Sequence, residues 1–312
     1  MKTDKKNVKH LIDWNDWSDQ EVKEVLDFAS RIKHNRWSYQ GYMTGKTLVM
    51  LFQKTSTRTR ISFEASMTEM GGHAIFLDWM TSNFKLSKIS YETAYLSRNA
   101  AIIMARVKEH KDLLEMKSTA SVPLINGCCN MYHPCQAMAD MLTIHEDRGS
   151  LEGAKLTYIG VHNNVVNSLM SASAALGVEL TLVCPISDES EVDQKSKAKL
   201  KSKGLLVETL DVKEAVRTAE YVYTDTWINM EFFDNPEYKT FKDERIATMM
   251  PFQVNKELLK DSKAKIMHDM PIHPGFEIAE DCVDDPRSII YDQAENRLEA
   301  QKAIMVYLLE KM

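Results

Sequence analysis

The sequence predicts an α/β protein of two doubly wound parallel-sheet domains of similar size. Short apolar runs of 4 to 6 residues alternate with segments of helical period, and this alternation occurs twice. A charged, glycine-containing stretch at 147–153 separates the two series and reads as the linker. The first series opens with a helix over 18–33, in which Val22, Val25, Leu26 and Phe28 form an apolar face. Its strands are 47–52, 74–77, 101–104 and 122–125, bounded runs without alternation, as expected of strands buried on both faces. Helices fall at 60–70, 91–98, 110–116 and 135–146. The second series runs through strand 156–160, helix 164–176, strand 180–184 and a Lys-rich helix at 190–203. It continues with strand 205–210, helix 212–218, and strands 221–224 and 265–268. Residues 235–245 are polar and aromatic without a clean period, which suggests a long loop of the kind that serves as a lid. A final amphipathic helix is expected at 293–311.

At 312 residues the chain is long enough for two cores that need no disulfide or metal staple. Its net charge of -6, with no basic run beyond scattered pairs, argues against a nucleic-acid partner. Only 11 residues are glycine and no Gly-x-Gly-x-x-Gly occurs, which disfavours a dinucleotide-dependent dehydrogenase. Five cysteines, an odd number with no Cys-x-x-Cys pair, fit a reducing cytoplasm better than a disulfide framework or a zinc site. The charged start leads into no secretory apolar segment, and no stretch approaches the ~18 apolar residues of a membrane span. The 19 methionines read as core filler.

The most informative stretch is Phe52-Gln53-Lys54-Thr55-Ser56-Thr57-Arg58-Thr59-Arg60, which leaves a buried strand and enters a helix. The first N–H groups of a helix lack partners and its dipole is positive there, so an anion is both attracted and hydrogen-bonded. Hydroxyls from Ser56, Thr57 and Thr59 add donors, and the arginine fork matches phosphate oxygens. A capped helix carrying solvated arginines is the plainer alternative.

This Ser-Thr-Arg-Thr-Arg run resembles the phosphate-binding motif of the aspartate/ornithine carbamoyltransferases, and further matches follow in family order. His133-Pro134-Cys135-Gln136 is similar to the His-Pro-x-Gln motif, and Arg106 ends a strand as a family arginine does. Gly160-Val161-His162-Asn163-Asn164 resembles the opening of the second domain, Asp225-Thr226-Trp227 the Asp-x-Trp of the ornithine side, and Glu295-Asn296-Arg297 the C-terminal helix motif. The resemblance implies that residues 1–148, with a C-terminal helix 291–312 returning to them, bind carbamoyl phosphate, while 149–290 bind the amine. It implies transfer of the carbamoyl group to ornithine through a tetrahedral intermediate, with no metal, nucleotide or other cofactor. Ser56, Thr57, Arg58, Thr59 and Arg106 would clamp the phosphate. Thr59, Arg106, His133 and Arg297 would face the carbonyl oxygen, and Gln136 would accept from the carbamoyl NH₂. Asn164, Asp225, Asn229, Met230, Asp269 and Met270 would form the amine side. A loop carrying Asn83, Lys85 and Lys88 would reach a neighbouring subunit's site, which implies a homotrimer or a multiple of trimers.

Four positions on the amine side depart from the ornithine pattern. Asn229 and Glu231 replace serine and glycine of Ser-Met-Gly, and His268-Asp269-Met270-Pro271 replaces His-Cys-Leu-Pro. A carboxylate at 269 can hold a cation or accept a proton, yet it also raises an amine's pKa and repels phosphate. Two alternatives therefore stand beside ornithine: another amine such as putrescine, lysine or a modified ornithine, and a non-catalytic carbamoyl-phosphate binder.

Overall fold

A computed structural model describes residues 8–228, 233 and 236–311. The first half contains α1 (Asp19–His34), β1 (Thr47–Phe52), α2 (Thr57–Glu69), β2 (His73–Asp78), α3 (Ile89–Leu96), β3 (Ile102–Arg106), α4 (His110–Thr119), β4 (Leu124–Cys128) and α5 (Pro134–Arg148). The second contains β5 (Lys155–Val161), α6 (Asn164–Leu176), β6 (Glu179–Ile186), α7 (Gln194–Ser202), β7 (Leu206–Glu208), α8 (Val212–Thr218), β8 (Tyr221–Thr224), α9 (Lys239–Met249), β9 (Lys265–His268) and α10 (Glu280–Val283). Two C-terminal helices follow, α11 (Ile290–Glu295) and α12 (Arg297–Glu310).

Every strand pairing is parallel, in the orders β2-β1-β3-β4 and β7-β6-β5-β8-β9. The α/β expectation holds. In each sheet the chain winds outward in one direction and then the other, leaving a switch point between β1 and β3 and another between β5 and β8. Open α/β sheets take ligands outside the carboxyl ends of the strands at such points. Helices α5 and α6 pack together at the junction of the halves. One apolar cluster, including Met138, Met141, Leu156 and Leu169, is continuous through that junction.

Three sequence expectations need correction. Strand β2 is an edge strand and is not buried on both faces: Ile75 and Phe76 are exposed. Of the loop expected at 235–245, residues 239–245 are helical, because α9 buries only Met249 and so carries no strong period. The last helix breaks at Asn296, and α12 is buried nearly all round. Helix α12 is enclosed because it packs against α1, α2 and α5, so even Lys302 and Glu299 lie inside. Lys302 is paired there with Glu69, which also binds Arg36. A buried ammonium requires such a partner.

Candidate active site

Strand β1 delivers the chain directly into α2, and Ser56 caps that helix by accepting from the Thr59 amide at 3.3 Å. The first turn of α2 therefore opens toward the carboxyl end of β1, beside the end of β3. Register shifts between Ala105 and Arg106 where β3 pairs with β4. An irregularity of this kind re-aims a side chain, and Arg106 lines a cleft of about 570 Å³ together with Ser56, Thr57, Arg58, His133 and Arg297. The opposite wall is formed by Asn164, Asp225, Asp269 and Met270.

The basic wall has unused donors. Arg58 Nε, Arg106 Nε, Arg297 Nε and His133 Nδ1 are buried without a hydrogen-bond partner among the described residues. Burial, followed by repulsion from Arg106, lowers the Arg297 guanidinium to about 10. Burial lowers Arg58 as well, against the attraction of Asp269. His133 is held well below the usual imidazole range by burial and by Arg297, Arg106 and Arg58, so it is neutral at pH 7. Positive groups packed together with unsatisfied N–H bonds are stabilised by a multiply charged anion.

Arg297 is held from behind. Its Nη2 donates to Thr59 Oγ1 at 2.6 Å and its Nη1 to Gln136 Oε1 at 2.8 Å. Thr59 and Gln136 therefore sit beneath the cleft wall and touch Arg297. Gln136 is itself oriented, because its Nε2 donates to Asp140 Oδ1 at 2.9 Å and fixes which way the amide points. Gln293 Nε2 donates to the same oxygen at 2.7 Å, while its Oε1 accepts from the His268 amide at 2.8 Å. This chain of bonds links the end of β9 to the N-terminus of α2.

Asp140 provides a pH test. Burial raises its carboxyl to about 7, against an ordinary value near 4, so the folded chain holds this proton more tightly than the unfolded chain does. The associated stability is complete below about pH 4 and fades as pH rises to about 7. Asp140→Asn keeps both amide bonds through Oδ1 and removes a buried charge. It is expected to match or exceed the wild type in thermal midpoint at pH 8, with the difference turning toward the wild type at pH 5. A deficit larger at pH 8 than at pH 5 contradicts this assignment.

On the acidic wall, Asp225 accepts from Asn163 Nδ2 and from the Thr226 amide, both at 2.6 Å. Asn163 also caps α6 by accepting from the Val165 and Val166 amides at 3.0 and 3.2 Å. Asn164 Nδ2 donates to the Cys129 carbonyl at 2.7 Å. Asp225, His268 and Asp269 bring oxygen and nitrogen atoms within 4.8 Å of one another. Both ring nitrogens of His268 are engaged: Nδ1 accepts from the Met270 amide at 2.8 Å, so Nε2 carries the proton toward Glu277 at 3.0 Å. The cluster is thus built for sharing protons more than for holding a metal.

Asn83, Lys85 and Lys88 do not line this cleft; they lie on a short 3-10 turn, Asn83–Lys85, and at the N-cap of α3. Asn229 and Met230 fall outside the described residues. Sequence reasoning assigned no role to Asn163, Lys108 or Cys128, which line the cleft. The position of Lys108 two residues beyond Arg106, and of Asn163 beside Asn164, was the available signal.

An anion cradle facing a carboxylate pair across two doubly wound domains defines a group-transfer site for an anionic donor and a cationic acceptor. The chain matches the carbamoyl-P binding domain of aspartate/ornithine carbamoyltransferase over residues 9–146 and the Asp/Orn binding domain over residues 152–308. It belongs to the aspartate/ornithine carbamoyltransferase family. An ornithine carbamoyltransferase of Archaeoglobus fulgidus is 39% identical over 311 residues, covering 97% of this chain and 98% of the relative. The ornithine carbamoyltransferase structure from Pyrococcus furiosus superposes with a TM-score of 0.88 at 37% identity, over 97% of this chain and 98% of that one. An N-acetyl-L-ornithine transcarbamylase structure is also similar, with a TM-score of 0.82 and 28% identity over 96% of this chain and 100% of that one.

Proposed function

We propose that the protein transfers the carbamoyl group of carbamoyl phosphate to the side-chain amine of ornithine, giving citrulline and phosphate. The observation that carries this reading is the convergence of unpartnered Arg58, Arg106, Arg297 and His133 donors at the α2 N-terminus, opposite Asp225 and Asp269. Ser56, Thr57, Arg58 and Arg106, which line the cleft, grip the phosphate. Arg106, His133 and Arg297, with Thr59 behind them, face the carbonyl oxygen as it gains charge in the tetrahedral intermediate. Gln136 Oε1, with one lone pair on Arg297, accepts from the carbamoyl NH₂ with the other. Asp225 holds a cationic group of the acceptor, with Asn164 and Met270 beside it in the cleft wall. Carbamoyl transfer measured with ornithine, putrescine, lysine and N-acetylornithine tests the substrate. Ornithine is expected to give the highest kcat/KM. A higher value for another amine moves the assignment to that amine, a reading favoured specifically by Asp269 in the cleft wall. Carbamoyl-phosphate binding without turnover of any amine supports the non-catalytic alternative.

The proposed assembly is a homotrimer in which Asn83, Lys85 and Lys88 complete the neighbouring cleft. Its support is a set of exposed apolar side chains on α2, β2, the segment after it and α3: Ile61, Phe76, Met80 and Tyr91, with Leu86 82% exposed. Patches of this kind mark protein contacts. Light scattering is expected to give three chain masses or a multiple; a monomer contradicts it. Five free cysteines, four of them buried, support a reducing cytoplasmic location. Among the described residues no helix is long and apolar enough to cross a membrane.

A further inference from the structure

We propose that Gln293 is a positioning residue for the transfer step, holding the acceptor wall of the cleft in register with the Gln136–Arg297 pair on the carbamoyl side. This role rests on the carbamoyltransferase reading and deepens it. Strand β9 ends the order of its sheet, and the segment after α10 extends its ladder. There the Ile266 amide donates to the Arg287 carbonyl and the Ile289 amide to the Ile266 carbonyl, both at 3.0 Å. The chain then turns into α11. The next outward amide of β9, that of His268, lies past this pairing and donates to Gln293 Oε1 at 2.8 Å. A side chain thus continues the ladder at the final residue of β9. Asp269 and Met270 follow immediately in the cleft wall, so the place of the His268 backbone sets theirs.

The other end of the same amide reaches the donor side. Gln293 Nε2 donates to Asp140 Oδ1 at 2.7 Å, the oxygen that also accepts from Gln136 Nε2 at 2.9 Å. Gln136 Oε1 in turn accepts from Arg297. Two side chains, Gln293 and Asp140, therefore span from the acceptor wall to the carbamoyl side. Gln293, Asp140, Gln136 and His268 are all fully buried, so no water replaces a lost member of the network. Helix α11 is itself pinned on both sides. Ile289 ties its start to β9, and Asn296 Nδ2, just past its end, donates to Thr143 Oγ1 at 3.0 Å and Glu146 Oε2 at 2.6 Å on α5. The arrangement needs an amide at 293, with one acceptor for a backbone N–H and one donor for a carboxyl oxygen on a single planar group. Such alignment acts on rate, because a misplacement of about 1 Å costs about 10²-fold.

Gln293→Met keeps the size of the side chain and removes both bonds. With the full-length protein and its best amine, kcat is expected to fall about 10–100-fold and the amine KM to rise about tenfold, with the carbamoyl-phosphate KM within about threefold. Carbamoyl phosphate is expected to raise the thermal midpoint of the variant as it does that of the wild type, separating this loss from misfolding. Gln293→Glu is the conservative partner. Its carboxyl, while protonated, accepts from the His268 amide and donates to Asp140 as the amide does; once ionised it faces Asp140 as a second carboxylate. Asp140 also faces Arg297, Tyr223 and Asp269, which the variant leaves in place. The kcat of Gln293→Glu relative to the wild type is expected to lie within about threefold at pH 6 and to fall toward that of Gln293→Met by about pH 10. Wild-type kinetics in Gln293→Met, with or without a lower thermal midpoint, overturn the proposal, because the residue is then only structural. So does a ratio in Gln293→Glu that is constant with pH, or a rise confined to the carbamoyl-phosphate KM. A wild type that carbamoylates no amine removes the function reading and the proposal with it, whereas an active wild type with indifferent variants removes the proposal alone.

Discussion

Arg58→Ala is expected to lower kcat/KM by about 10³-fold, chiefly through carbamoyl-phosphate binding. Arg58 is the second residue of α2, two positions past the Ser56 cap, where the first helix N–H groups and a guanidinium lie together. Its Nε is buried without a partner among the described residues and burial lowers its pKa, so a bound phosphate would offset an unfavourably buried charge. Alanine keeps the helix and the cap while removing that charge. Thermal stability without ligand is therefore expected to be unchanged or slightly higher, whereas the stabilisation by carbamoyl phosphate disappears. Initial rates against carbamoyl phosphate, with melting curves at saturating ligand, check both parts. Activity within tenfold of the wild type contradicts the phosphate role.

Arg297→Lys is expected to lower kcat/KM by about 10²-fold although the charge is retained. The guanidinium fork satisfies Gln136 Oε1 and Thr59 Oγ1 simultaneously, with Nε buried and unpartnered among the described residues. An ammonium on a flexible stem cannot occupy all three directions. At least one buried acceptor is left unpaired, at about 1–3 kcal/mol, and the alignment toward the carbonyl oxygen is lost as well. Steady-state kinetics on Arg297→Lys beside Arg297→Met separates charge from geometry. Near-equal losses in the two variants support the fork; full activity in the lysine variant contradicts it.

The parts of this site legible in the sequence are those built from adjacent residues. The Ser56-to-Arg60 run stands out because a strand exit, a cap and two arginines occupy consecutive positions, and helix-terminal chemistry is local. Arg297 could be named only by resemblance. Nothing near it in sequence shows that it meets Thr59, 238 positions away, or Gln136, 161 positions away. Asn163 stands in the Gly160-to-Asn164 match with no role of its own, because nothing local to it shows a partner beyond the helix it precedes. Here the same side chain also fixes Asp225 from the neighbouring strand end.

The fold divides similarly. Central strands such as β1 and β3 are apolar over residues 48–52 and 102–105 because both faces are covered, so their runs are visible without tertiary knowledge. Strand β2 has much the same composition but sits at an edge, and sheet order is not a local property. Helix α12 carries Arg297, Glu299, Gln301 and Lys302, which read as a solvated face, whereas three packed helices enclose it. Helix α9 shows the reverse: exposed and weakly periodic, it looked like a loop.

The most direct measurement is carbamoyl transfer with ¹³C-labelled carbamoyl phosphate and ornithine, following the labelled carbon by NMR and phosphate colorimetrically in one reaction. Citrulline carrying the label and phosphate are expected in equal amounts, with both lost in Arg58→Ala. Phosphate appearing without labelled citrulline, or neither appearing while carbamoyl phosphate still binds, would contradict carbamoyl transfer to ornithine.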